Sequence, residues 1–181
     1  QAQLAQWMVG HAVEAAQRRP AGAVGAPVCV LERVSTQPPA SVRGRGAEAG
    51  QRDALHSVDL ALHAGEIVAI AGVSGNGQVA LADVLCGVRT PSSGRATLRG
   101  QPLIAHPKAL VARGVARIPE DRHAVGVVGD LPVWENAVSE RLSSRWFSHP
   151  WFSGFWIKRG AARVHAQRVA DTFDVRGGGL D

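Results

Sequence analysis

The chain has 181 residues, 45% of them apolar, and a formal net charge of +5. That apolar content is globular and not disordered, and no apolar run approaches the roughly 20 residues that would span a bilayer. The basic residues are 18 Arg and 2 Lys, spread without a cluster beyond Arg18-Arg19, so the charge reads as a solvated surface and not as a nucleic-acid footprint.

The opening stretch, QAQLAQWMVG, lacks Met and a basic leader, which predicts no signal peptide and a chain that is part of a longer polypeptide. Gln1–Gln17 places Leu4, Trp7, Met8, His11 and Ala15 on one helical face. Arg18–Ala26 is rich in Pro, Gly and Ala and reads as a linker. Pro27–Val34 is a strand candidate, Ser35–Asp53 a long loop, and Ser57–Leu62 a half-buried strand by the alternation of Val58, Leu60 and Leu62. Cys29 and Cys86 have neither metal-ligand nor disulfide-framework spacing and read as buried thiols. No two histidines stand at i, i+4, and no metal site is expected.

Gly65–Gly87 organises the rest. Ile67–Ala71 (IVAIA) has the length of a buried strand, and it is expected to be central. Gly72–Gly77 (GVSGNG) follows with three glycines, then Gln78–Cys86 with Leu81, Val84, Leu85 and Val88 on one helical face. Strand, glycine loop and helix form a phosphate-binding loop: glycines turn backbone N–H groups inward, and the helix N-terminus adds partial positive charge. The match to G-x-x-x-x-G-K-[ST] is incomplete. Gly72 and Gly77 hold the glycine positions, but Gln78 stands in place of Lys and Val79 in place of the metal-binding hydroxyl. A charged hydrogen bond contributes roughly 1.5–3 kcal/mol and a neutral one about 0.5–1.5 kcal/mol. The loop can therefore hold phosphate through Gly72, Val73, Ser74, Gly75, Asn76, Gly77, Gln78 and Val79, weakly, and is poorly equipped for phosphoryl transfer. A plain strand-to-helix turn is the bland alternative. Gly75–Ala80 also reads G-x-G-x-x-A, a dinucleotide fingerprint. The glycine spacing from the strand disfavours an oxidoreductase, as does the lack of an acid in Arg95–Arg99 (RATLR).

Beyond a PSSG turn, Arg95–Arg99 is a short strand and Pro107–Arg113 a short helix with Pro at N1. Val115–Ile118 is a strand leading to the charged triplet Glu120-Asp121-Arg122, which spacing alone marks as solvated loop. Pro132–Leu142 looks helical. Trp146–Trp156 holds six aromatics in eleven residues, either a local core or a surface for a partner. Arg159–Phe173 is a helix with Ala162, Ala166, Val169 and Phe173 aligned.

Gly65–Gln78, Arg95–Gly100, Arg113–Arg122 (RGVARIPEDR) and Trp134-Glu135-Asn136 together resemble the ATP-binding subunits of bacterial ABC importers. The subgroup has two fused nucleotide-binding halves and serves simple sugars and nucleosides, and the resemblance is to the second, degenerate half. It implies an α/β fold: an incomplete P-loop NTPase domain of ABC type with an antiparallel β-subdomain and part of a helical subdomain. Residues 1–26 would be the tail of a preceding half plus linker. Residues 27–181 would be the first part of the ATP-binding domain, ending before the signature and the Walker B carboxylates. Glu120 falls where the family's Q-loop glutamine stands. No aromatic in Pro27–His56 is available to stack on adenine. The resemblance further implies weak binding of Mg-ATP and no hydrolysis by this piece alone. The partners it implies are transmembrane permease subunits, a second nucleotide-binding half or subunit and, indirectly, a solute-binding protein, with no nucleic acid. The implied place is cytoplasmic, peripheral on the inner face of the membrane. The aromatic segment would face the permease. The alternative is a non-catalytic docking module for that permease.

Overall fold

The computed structural model describes residues 22–38, 53–142, 144, 146–148, 156–177 and 179–181. The expected helix over 1–17, most of the 35–53 loop, and Trp151, Phe152 and Phe155 lie outside the described residues.

Four antiparallel strands form one sheet in the order β2-β1-β3-β4: β1 (Pro27–Ser35), β2 (Val58–His63), β3 (Ser93–Leu98) and β4 (Gln101–Pro102). This is the expected antiparallel β-subdomain. The register places Leu31 opposite both Leu60 and Ala96, and Cys29 opposite Leu62 and Leu98. Cys29 and Leu31 share the buried face by alternation. The next buried residue is Val34, out of step by one, because the pairing with β2 shifts between Leu31 and Val34. Arg33, with a φ of 48°, absorbs the extra residue, and its N–H donates to Asp59 Oδ1 at 2.8 Å. Gly94 makes close approach to this bulge possible: a Cβ there would lie 2.2 Å from the Arg33 carbonyl oxygen. Between β3 and β4, Arg99 and Gly100 both have positive φ, 52° and 73°, as a two-residue hairpin turn requires. Pro102 sits on the edge strand, where no ladder donor is needed.

Helix α1 (Gln78–Leu85) lies on the sheet's buried face. Its Ala80, Leu81 and Val84 pack with Leu31, Val34 and Leu55 in one cluster. Helix α2 (Pro107–Ala112) closes a second cluster through Leu110 with Cys29, Leu98 and Leu103. His106 caps it, its ring nitrogen accepting from the Ala109 N–H at 3.3 Å.

The helical part is shorter than the periodicity of Pro132–Leu142 suggests. Helix α3 spans only Val133–Asn136, followed by a 3-10 turn at Ser139–Arg141. Asn136 explains the early end. Its side chain accepts from the Val128 N–H and donates to the carbonyls of Val128 and Leu131, folding residues 128–132 around itself. Helix α4 occupies Arg159–Phe173, as expected, with Ala162 and Ala166 buried against Trp134, Val138 and Phe147. Phe173, expected on that apolar face, is 74% exposed.

The central strand expected at Ile67–Ala71 is not there. The segment has no ladder partner, and Ile67 is 98% exposed. The strand expected at Val115–Ile118 is likewise unpaired, and Ile118 is solvent-facing. The reason lies in the neighbours and not in the segment itself. A buried parallel strand needs neighbours on its edges, and the sheet among the described residues is made wholly of β1–β4. Helix α1 accordingly packs on β1 and not on Ile67–Ala71.

Candidate phosphate-binding site

The glycine loop leads into α1 as the sequence suggests. Gly75 and Gly77 have φ of 86° and 94°, a backbone that favours glycine, and Gly77 is the N-cap of α1. Gly77 also sits tightly over the chain at 54–55: a Cβ would lie 3.1 Å from the Ala54 carbonyl oxygen and 3.3 Å from Leu55 Cδ2. Leu55 is in turn fixed to the end of β1. Its N–H donates to Thr36 Oγ1 and its carbonyl accepts from the Thr36 N–H, both at 3.0 Å.

The N–H groups of Gln78 and Val79 open the first turn of α1 and so have no acceptor within the helix. The Ala80 N–H donates to Asp53 Oδ1 at 3.3 Å. That carboxylate therefore sits at the positive end of the helix, where it is favoured. Asp53 anchors an ion network. Arg89 reaches Asp53 Oδ2 at 3.4 Å and Asp83 Oδ2 at 3.3 Å, and Arg117 reaches Asp83 Oδ1 at 3.2 Å. The network ties the start of α1 to its end and to the segment that runs into Glu120.

The side chains of Asn76 and Gln78 bond back onto the loop. Gln78 Oε1 accepts from the Asn76 N–H at 3.0 Å, and Gln78 Nε2 donates to the Val73 carbonyl at 3.0 Å. Asn76 Nδ2 donates to the same carbonyl at 2.9 Å. Val73 and Val79 are exposed, Ser74 is solvent-facing, and Val79 offers a metal nothing.

Gly72, Val73, Ser74, Gly75, Asn76, Gly77, Gln78 and Val79 are thus brought together. Glu120 is exposed at a bend, and no hydrogen bond or ion pair joins it to the loop. Its neighbour Asp121 does structural work, accepting from the N–H groups of His123 and Ala124 to cap a single π-helical turn at Arg122–Gly126. Reading the sequence missed Asp53, Asp83, Arg89 and Arg117. Asp53 lies in a stretch with no periodicity, and its partners are 27 and 36 residues away. No local pattern marks such a pair. Cys29 and Cys86 line one cavity of about 430 Å³ with Leu62, Leu98, Leu103 and Val115, and burial pushes both thiols up from their ordinary range.

A glycine loop on a helix start, with an antiparallel subdomain and a short helical segment, is consistent with the P-loop class of nucleotide-binding folds, and the match to a known family assigns the chain to it. Within that class the family model described as ABC transporter matches residues 55–176. The chain belongs to the ABC transporter family. It is 41% identical over 177 residues to the glucose import ATP-binding protein TsgD13 of Haloferax volcanii, covering 97% of this chain and 30% of that protein. It is 32% identical over 177 residues to the guanosine import ATP-binding protein NupO of Bacillus subtilis, covering 97% and 32%. It is 36% identical over 143 residues to the ribose import ATP-binding protein RbsA 2 of Rubrobacter xylanophilus, covering 77% and 25%. The chain spans about 30% of the length of the first of these relatives and 32% of the second. Among the described residues no helix is long and apolar enough to cross a membrane.

Proposed function

We propose that this chain is a nucleotide-binding, energy-coupling part of an importer for a sugar or nucleoside, and that it holds ATP weakly at Gly72–Val79 and does not turn it over. The observation that carries the reading is the loop itself. Gly75 and Gly77 in left-handed backbone lead directly into the Gln78 and Val79 amides that open α1, within the region that matches the family. Those amides fit a phosphate anion. The residues do not fit magnesium at Val79, and no lysine stands at position 78 to meet the outer phosphates. Loss of charge at one position and of a metal ligand at the next supports binding without phosphoryl transfer.

On this reading residues 27–181 belong to one ATP-binding domain, with residues 1–26 ahead of it. The partners are membrane permease subunits, a second nucleotide-binding half or subunit, and a solute-binding protein. The chain then sits peripherally on the cytoplasmic face of the membrane. The relatives named for glucose, guanosine and ribose import support the importer and the two solute classes.

One observation favours a second reading, a docking module in which the loop is only scaffold. Trp134 and Phe147 are buried with α4, whereas Trp146 and Trp156 are 75% and 63% exposed. The aromatic segment is therefore part core and part surface, and large exposed rings suit a protein partner. Melting of the purified chain with and without millimolar ATP separates the two. A ligand that binds only the folded state raises the melting temperature. A rise with ATP and no phosphate release is the expected result. No rise at any ATP concentration would leave the docking reading, and steady phosphate release would refute catalytic incompetence.

A further inference from the structure

We propose that Gln78 is an internal ligand of the phosphate loop: its carboxamide occupies the place of a phosphate group, and an anion enters by displacing it. The inference rests on the reading of Gly72–Val79 as a phosphate site and goes on to say what sets its affinity.

The carboxamide spans the loop. Its oxygen takes the Asn76 N–H at 3.0 Å, the kind of donor a phosphate oxygen would use. Its nitrogen donates to the Val73 carbonyl at 3.0 Å, an acceptor that would repel an anion. The same nitrogen lies 2.9 Å from where a Cβ on Gly72 would be, so the side chain fills the space beside the loop's first glycine. Gln78 is half-buried, unlike the solvent-facing residues 72–76. Asn76 Nδ2 also donates to the Val73 carbonyl at 2.9 Å, so the loop's own amides brace its curvature.

Lysine in the same position has three donors and no acceptor, so it cannot take the Asn76 N–H. The residue at 78 therefore does more than lack a charge. A group that would draw phosphate in is replaced by one that imitates it. Entry of an anion then costs the neutral hydrogen bonds that the carboxamide makes with the loop.

The test is calorimetric titration of the full chain with pyrophosphate, native against Gln78→Met, which keeps the length and removes both hydrogen bonds. The expected result is binding on the order of threefold to tenfold tighter in the variant, the range of one neutral hydrogen bond removed from the competition. Equal or weaker binding in Gln78→Met would overturn the proposal and make Gln78 a direct phosphate ligand. A measurement on the native chain guards against a variant that folds poorly. In isotope-labelled protein, saturating pyrophosphate should shift the Gln78 side-chain amide and the Asn76 backbone amide together. A shift at Asn76 with Gln78 unmoved also overturns it. If neither native nor variant chain binds pyrophosphate or ATP, the phosphate reading itself fails and the inference falls with it. If both bind and only the order is reversed, the inference alone fails.

Discussion

Leu31 stands in a segment that reads as a strand and Ile67 in an apolar run that reads as a buried one, yet Leu31 is 2% exposed and Ile67 is 98% exposed. The difference lies in their partners and not in their side chains. Leu31 has β2 and β3 alongside, reached by antiparallel pairing, and α1 above. Ile67 leads out of a turn at Gly65 into a segment with no strand beside it among the described residues. Apolar periodicity records that a segment can be buried; burial itself depends on which strand lies next to it.

The contrast repeats in the helical part, where the largest effect is expected. Trp134 is 5% exposed in a cluster with α4, and Trp134→Ala should cost roughly 3–5 kcal/mol. Trp146→Ala, at an exposed site, should stay within about 0.5 kcal/mol. Denaturant melts of the two variants check this, and equal losses would erase the distinction between core and surface aromatics. Next comes the sheet. Leu31→Ala should cost about 2–5 kcal/mol and Ile67→Ala no more than about 0.5 kcal/mol. A comparable loss at Ile67 would mean that the segment is covered in solution, and the comparison would break.

The ion network should give a smaller effect, because Asp83 is 15% exposed at its side chain and not fully buried. Asp83→Ala leaves Arg117 without that partner and Arg89 with Asp53 only, for a loss of about 1–3 kcal/mol. High salt should narrow the gap between native and variant melting curves. The smallest effect belongs to the turn before Ile67. The His63 backbone N–H, and then its ring nitrogen, hold the Glu66 carboxyl below the ordinary carboxylate range. A lowered carboxyl stabilises above its unfolded pKa, and that contribution is lost as pH falls through the lowered folded value. Glu66→Gln should therefore melt slightly below the native chain at neutral pH and converge with it in acid. A gap that widens on acidification would contradict the sign.

Much of the architecture was legible in the sequence because it is locally encoded. Alternation in β2, the glycine turns around β3 and the helical stripe of Arg159–Phe173 each fix an element without reference to distant residues. The glycine loop and the neutral residue at position 78 were legible for the same reason. The exposure of Ile67 and the Asp53–Arg89–Asp83–Arg117 network depend on distant chain segments, which no periodicity reports. The inward fold of Gln78 depends on the loop's own backbone angles at Gly75 and Gly77. The chemistry of its side chain could be read from the sequence, and its direction could not.

The most direct measurement is the affinity of the purified chain for ATP, titrated once with magnesium and once with a chelator. The proposed site has no lysine at position 78 and no metal ligand at Val79, and if phosphate binds there through backbone amides the two dissociation constants should agree within about twofold, or about 0.4 kcal/mol. Tightening by magnesium of about tenfold or more, or the absence of binding in both titrations, would contradict a metal-independent phosphate site at Gly72–Val79.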